Sequence, residues 1–198
     1  MPNQSNISAY ILAMFVAGIA FKIYFESDTF NLKCIISKVD GNEYCVRERE
    51  KLELVADLLA NTTQNLKKLV VHLGKKYPQR DNCKRLVENF NPTAIKEILP
   101  TSKYTAYSEN KGEKLAFCTT VSKTNDTLID PNTLMFVATH VIAHIMTKSV
   151  GHTDEFWQNF KFLLQHAAEL NLYTPEDYKK KPKQYCGMEI TDNPYYDV

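Results

Sequence analysis

The sequence lacks the charge, glycine and motif patterns that identify several large functional classes. Its formal net charge is only +1, so it has no basic excess of the kind that nucleic-acid-binding domains carry. Six glycines in 198 residues leave little room for a glycine-rich phosphate loop. There is no G-x-S-x-G motif and no cysteine in an activating motif, which gives no support to a serine or cysteine nucleophile.

Cysteine occurs five times without a C-x-x-C pair, so the sequence does not favour a cysteine zinc knuckle. The odd number and scattered positions favour mostly reduced thiols in a domain that faces the cytosol. Cys34 and Cys45 flank a turn expected at Asp40 and Gly41, which places them opposite each other on a hairpin. Both a disulfide and two buried free thiols fit this spacing.

Charged residues are also absent between Gln4 and Phe21. At a rise of about 1.5 Å per residue, the apolar stretch 7–25 is about one bilayer crossing long, provided that Lys22 extends to the interface. We therefore predict a short polar N-terminus at 1–6 and a transmembrane anchor at 7–25, with membrane lipid as its partner.

A cleaved signal peptide and a buried core helix are two other interpretations of this segment. A signal peptide has a basic region before the apolar run and a small-x-small cleavage site after it, but residues 1–6 contain no basic residue and no good cleavage site follows the run. Lys22, Lys33 and Lys38 follow the segment, while no Lys or Arg precedes it. The positive-inside rule therefore favours a cytosolic location for the following domain, which we place at 33–198.

The remaining pattern predicts an α+β domain with several helices and a small antiparallel sheet. The predicted elements are a hairpin at 33–47, a helix from 52 that stops before Pro78, a helix at 82–90, strands at 103–108 and 114–121, helices at 130–148 and 153–170, a helical turn at Pro175 and an irregular tail. Asp130 before Pro131 is typical of a helix start, and Thr153 can cap the next helix.

Three histidines near the helix at 130–148 form the pattern with the most chemical content. His140 and His144 are four residues apart, so their rings project from one helical face and can share a tetrahedral zinc ion. His152 follows a turn that contains Gly151, and a chain reversal there returns it as a third ligand. Three protein ligands leave one coordination position open, as in catalytic zinc sites. Histidines that only pack or form hydrogen bonds explain the same spacing.

The segment around these histidines resembles the H-E-x-x-H segment, with a third downstream histidine, of WLM and SprT-like zincin metallopeptidases. It is especially similar to the small WLM-like proteins of large nucleocytoplasmic DNA viruses. The similar segments are 44–47, 89–92, 102–105, 110–114, 132–138, 151–153, 155–157, 185–188 and 190–194. The resemblance implies a zincin-like α+β fold in which His140, His144 and His152 are the zinc ligands.

One residue departs from the family motif: Val141 stands where the family has a glutamate. In zincin proteases that glutamate takes a proton from the zinc-bound water and passes it to the leaving amine. Valine can do neither, and general acid–base catalysis typically contributes about 10²–10⁴-fold. Asp154 and Glu155 are the nearest carboxylates in sequence, and we expect them to stabilise the start of the following helix. The sequence therefore assigns no catalytic residue.

Three hypotheses follow. The first is a membrane-anchored, catalytically degenerate metallopeptidase homologue with a structural or interaction role. Its resemblance to viral proteins suggests a minor capsid or virion membrane protein that contacts other proteins, such as capsid components, and no nucleic acid. The second is an active zinc peptidase with a non-standard general base. The third is a fold without zinc. His72 and His166 are interpreted as surface or structural histidines without a role.

Overall fold

The computed structural model describes residues 4–26 and 32–197, and within them the side chains of 7–24 and 32–197. In chain order the elements are α1 (Gln4–Glu26), β1 (Leu32–Ile36), β2 (Glu43–Arg47), α2 (Leu52–Lys76), α3 (Asp81–Asn89), β3 (Ile95–Glu97), β4 (Ala106–Glu109), β5 (Lys114–Phe117), α4 (Pro131–Met146), α5 (Asp154–Glu169), β6 (Lys183–Tyr185), β7 (Met188–Ile190) and a 3-10 turn (Pro194–Tyr196). The α+β class predicted from the sequence is confirmed.

Helix α1 contains the predicted apolar segment. Its stretch Ile7–Tyr24 has a mean hydropathy of 1.8 and, by length and composition, suffices to cross a membrane. The side chains of this stretch are exposed, so the core-helix interpretation is wrong, whereas a membrane span and a signal sequence both fit. Of the polar N-terminus predicted at 1–6, residues 1–3 lie outside the described residues, and the helix already begins at Gln4.

The strands form three small sheets. β1 and β2 make the predicted antiparallel hairpin, and β6 and β7 make a second one. The third sheet has the order β3-β5-β4, with β3 parallel and β4 antiparallel to β5. The prediction of a purely antiparallel sheet is therefore wrong for β3, because the chain crosses to the far edge of the sheet before β4 begins.

The C-terminal tail is more regular than the sequence indicates. The β6–β7 hairpin turns at Cys186 and Gly187, whose φ angles of 54° and 80° are both positive, as in a type I′ turn. Cysteine is not a residue that this turn favours, so the sequence carries little signal for it. The helical turn predicted at Pro175 is absent, since residues 173–177 have no helical structure.

Four of the five cysteines form disulfides, so the expectation of mostly reduced thiols is wrong. Cys34 and Cys45 are direct partners across the β1–β2 hairpin and are bonded to each other. The second disulfide joins Cys118 to Cys186, which are 68 residues apart in sequence. Cys83 is a buried free thiol. The long separation of the second pair explains why spacing alone does not indicate it.

Helix α4 lies at the centre of the core and packs against α2, α3 and α5 as well as β4 and β5. Twelve of its sixteen residues are buried. Its start is fixed by Asp130, whose carboxylate accepts hydrogen bonds from the Thr133 backbone N–H at 2.9 Å and from the Thr133 hydroxyl at 2.7 Å. Pro131 occupies the first helical turn, as predicted. These contacts fix the residue at which α4 begins, and therefore the positions of the residues along it.

Replacing Asp130 with Ala should lower the free energy of unfolding by about 1 kcal/mol, because Thr133 loses its capping acceptor. The measurement is urea unfolding of the full chain in mild detergent. Asp130→Asn is the control, since it keeps an acceptor oxygen and should cost less. Equal losses in the two variants would contradict a capping role.

Candidate metal centre

The structure brings the three predicted histidines together. His140 Nε2 lies 3.3 Å from His144 Nε2 and 3.1 Å from His152 Nε2. Zinc bonds of about 2.0–2.1 Å in tetrahedral geometry place two ligand nitrogens about 3.3–3.4 Å apart. Two of the three nitrogen pairs thus already have nearly the spacing that a shared zinc ion requires, and one ligand nitrogen from each ring lies within 4.8 Å of the other two.

Hydrogen bonds alone do not satisfy this arrangement. A ring nitrogen of neutral imidazole carries either one proton or one lone pair. His140 Nε2 can therefore form a hydrogen bond with only one of its two close neighbours at a time. A metal ion accepts a lone pair from each of the three nitrogens, so the donor set fits zinc better than it fits a hydrogen-bonded cluster.

The electrostatic environment keeps two of these rings in the metal-binding form. Burial, together with the nearby His144 and His152 imidazoles, lowers the pKa of His140 to about 3. Burial, His152 and the ammonium of Lys111 lower the pKa of His144 to about 4. Both rings are neutral at pH 7, so a metal ion can bind there without displacing a proton.

The ring of Phe156 forms a platform beneath the three histidines. Its centroid lies 4.9 Å from His140, 4.3 Å from His144 in a stacked arrangement, and 4.6 Å from His152. Phe156 is fully buried in the first turn of α5. The aromatic ring of Phe156 on α5 therefore orients the histidine rings, while His152 stays exposed.

The reversal that returns His152 is held by Lys111. The Lys111 ammonium donates hydrogen bonds to the carbonyl oxygens of His144, Thr147 and Ser149 at 3.0, 2.8 and 2.9 Å. These carbonyls lie in or just beyond the last turn of α4, where helical partners are missing. A single cation thus terminates the helix and fixes the start of the turn.

Lys111 reaches this position because its own turn between β4 and β5 has an unusual backbone. Asn110 and Lys111 have φ angles of 47° and 57°, and Gly112 follows with 124°. A Cβ on Gly112 would lie 2.1 Å from the carbonyl oxygen of Asn89, so only glycine allows this approach. The close contact between Gly112 and Asn89 at the end of α3 therefore positions Lys111 so that its ammonium reaches the end of α4.

Glu155 holds the other side of the reversal. Its carboxylate accepts hydrogen bonds from the backbone N–H groups of Lys148 and Ser149 at 2.9 and 3.1 Å, and these bonds lower its pKa. Thr153 caps α5 as predicted, through the N–H of Phe156. Glu155 lies in the first turn of α5, as expected. Its carboxylate also binds the backbone just after α4, and so it joins the two helices.

Val141 follows His140 on α4 but points into the core, where it is 1% exposed. A cleft of about 290 Å³ lies beside His140 and has mainly apolar walls. The two carboxylates that line it both have other partners. Glu189 accepts from Gln184 Nε2 at 3.2 Å, and Asp192 pairs with Lys179 at 3.0 Å. One wall belongs to β7 and the residues after it, where the sequence predicts an irregular tail.

Comparison with known proteins gives viral relatives. The chain is 28% identical to an uncharacterized protein of Acanthamoeba polyphaga mimivirus over 195 residues, which covers 94% of this chain and 98% of that protein. It is 38% identical over 82 residues to an uncharacterized protein of Invertebrate iridescent virus 6, covering 41% of this chain and 44% of the relative. It is 41% identical over 61 residues to one of Invertebrate iridescent virus 3, covering 30% and 36%.

No protein-family model matches the chain. No solved structure matches it either. The relatives named above are therefore viral proteins, and their names assign no activity.

Replacing Lys111 with Met keeps the aliphatic stem but removes the donors to three carbonyls. We expect the free energy of unfolding to fall by about 1–3 kcal/mol, because those carbonyls lose a charged donor. Zinc affinity, measured by competition with a chromophoric chelator, should weaken because the reversal before His152 loosens.

The matched control is Lys114→Met, which removes an exposed ion pair with Glu109 and should change both quantities little. The role given to Lys111 is wrong if the two variants behave alike. Zinc content below roughly 0.1 per chain in the unaltered protein, without uptake from added zinc, would remove the metal centre altogether.

Proposed function

We propose that this protein is a membrane-anchored, catalytically degenerate WLM-like metallopeptidase homologue that serves a structural or interaction role in a virus particle. The observation that carries the proposal is Val141. It occupies the position after His140 where the resembling peptidases have their general base, and its side chain is buried in the core. The zincin-like fold and the zinc centre at His140, His144 and His152 are parts of the same proposal.

The zinc centre is supported by the three converging nitrogens and by the neutral state of His140 and His144. Zinc at this position would act as a Lewis acid toward a bound water or carbonyl oxygen. The protein's own residues supply ligands and a rigid platform. Glu155, Glu189 and Asp192 each already have a hydrogen-bond or ion-pair partner.

A binding role is supported by the cleft beside His140. Phe136, Phe160 and Ile190 contribute to its apolar walls, and Trp157 lies at its rim with 44% exposure. Such a cleft suits an apolar side chain of a protein partner. A partner held there would contact the metal-bound face without being cleaved.

The membrane and virion parts of the proposal have separate support. Ile7–Tyr24 is long and apolar enough for a single membrane crossing. The mimivirus relative matches along nearly its whole length. We infer a minor capsid or virion membrane protein whose other partners are particle proteins, with a single anchor in the lipid.

An active zinc peptidase is the second candidate, because Glu189 and Asp192 line the cleft that contains His140. Either carboxylate would need to leave its present partner before acting as a general base. Their exposure on the C-terminal hairpin and the following loop makes that movement the specific point to test.

We expect the zinc-loaded full-length protein to hydrolyse a mixed peptide library no faster than His144→Ala, because Val141 replaces the general base and the two carboxylates of the cleft have other partners. Cleavage is measured by detecting peptide fragments with mass spectrometry, in the presence and absence of a chelator. Chelator-sensitive cleavage that disappears in His144→Ala would overturn the degenerate assignment. Its loss in Glu189→Gln or Asp192→Asn would then identify the base.

Two observations favour opposite sides of the membrane for the domain. Lys22, Lys33 and Lys38 favour the cytosol by the positive-inside rule. The disulfides Cys34–Cys45 and Cys118–Cys186 favour an oxidising compartment. We propose the cytosolic orientation, since the lysines act during insertion and disulfides can form later, in an extracellular particle.

Asn125 reports on this orientation, because it is an exposed residue in an N-x-T sequon. Expressed in eukaryotic cells, the chain should carry no glycan at Asn125 if the domain is cytosolic. The measurement is the gel shift after glycosidase treatment, with Asn125→Gln as control. A glycan at this position would place the domain in the lumen.

Purified particles of the virus that encodes this chain should contain it in the membrane-associated fraction. Quantitative mass spectrometry of particles, before and after detergent extraction of lipid, makes the measurement. Absence from particles, in cells that contain the protein, would remove the virion role and leave the other parts of the proposal standing.

A further inference from the structure

The two histidines left without a role in the sequence lie together at the far end of α5. His72 on α2 faces His166 on α5, with ring centroids 5.8 Å apart. Glu169 lies one turn after His166 and its Oε2 atom is 2.8 Å from His166 Nδ1. One donor atom from each of the three residues lies within 4.8 Å of the others. With the first centre, this cluster accounts for all five histidines of the chain.

One nitrogen of this cluster has no partner. His72 Nε2 is buried and makes no hydrogen bond in the part of the chain that the structure describes. Burying an unpaired polar atom opposes folding, so such an atom calls for an explanation. A bound metal ion would satisfy His72 through its lone pair.

The position also favours a cation. His72 lies in the penultimate turn of α2, which ends at Lys76, and His166 lies in the last turn of α5, which ends at Glu169. Carbonyl groups at helix C-termini carry partial negative charge, and here two such ends meet. Glu169 adds a formal negative charge, so the cluster combines two imidazoles with one carboxylate.

We propose that His72, His166 and Glu169 form a second metal site, which takes a divalent transition-metal ion such as zinc. Two imidazoles and a carboxylate are an established zinc ligand combination, and a water would complete the coordination. The ion would join α2 to α5. It lies at the opposite end of α5 from His152, about 20 Å away at 1.5 Å per residue, so the two centres do not share ligands.

Lys76 is the built-in competitor of this site. Its ammonium lies 3.2 Å from Glu169 Oε2, the same oxygen that contacts His166. A metal ion must draw that oxygen away from Lys76 and also tolerate the positive charge. Removing the ammonium should therefore tighten metal binding, an effect that general adsorption to surface histidines does not produce.

The test uses the full-length protein in detergent with His140→Ala and His144→Ala, which together remove the first centre. Zinc alone is the probe, measured by competition with a chromophoric chelator, and cobalt(II) absorption reports the ligand geometry. We expect one zinc per chain in this background. Affinity should fall at least tenfold on adding His72→Ala or Glu169→Gln and rise several-fold on adding Lys76→Met.

Lys75→Met is the matched control, since Lys75 is the exposed neighbour on the same helix and should leave affinity unchanged. Glu169 is exposed, so Glu169→Gln keeps the test decisive even where His72→Ala disturbs folding. The proposal is overturned by absence of zinc in the background variant, or by equal affinity with and without Glu169→Gln. Because the first centre is removed, neither result bears on the function proposed above.

Discussion

The candidate metal centre depends on a reversal of the chain between α4 and α5. Two charged side chains stabilise it. The ammonium of Lys111 donates hydrogen bonds to three carbonyl oxygens. The carboxylate of Glu155 accepts hydrogen bonds from the backbone N–H groups of Lys148 and Ser149. Lys111 thus binds carbonyl oxygens within residues 144–149, and Glu155 binds N–H groups of the same segment. His152 returns to His140 because this segment has one well-defined path, and Phe156 then supplies the surface on which the rings rest.

Part of this arrangement could be read from the sequence. The spacing of His140 and His144 places both on one face of any helix, and Asp130 and Thr153 are capping residues whose effect is local. Such local patterns predict structure reliably because their effect does not depend on the rest of the chain. The return of His152 followed from the same reasoning, since a polar segment with a glycine lay between two helices.

The remainder depends on contacts between distant segments. Lys111 caps α4 only because Gly112 allows its turn to approach Asn89, which no periodic pattern encodes. The β6–β7 hairpin, whose β7 strand forms part of the cleft wall, turns on a cysteine rather than on a residue typical of turns. His72 and His166 belong to different helices, and their proximity follows from helix packing. A zincin-like fold is a proposal from the resemblance alone, whereas the α+β class follows from the structure itself.

The Cys118–Cys186 disulfide closes a covalent ring that includes α4, the reversal and α5. All three histidines of the first centre lie within this ring, and so does His166. A single break of the backbone inside the ring would leave both pieces attached through sulfur. A protease that cuts there therefore releases no fragment while the disulfide is intact.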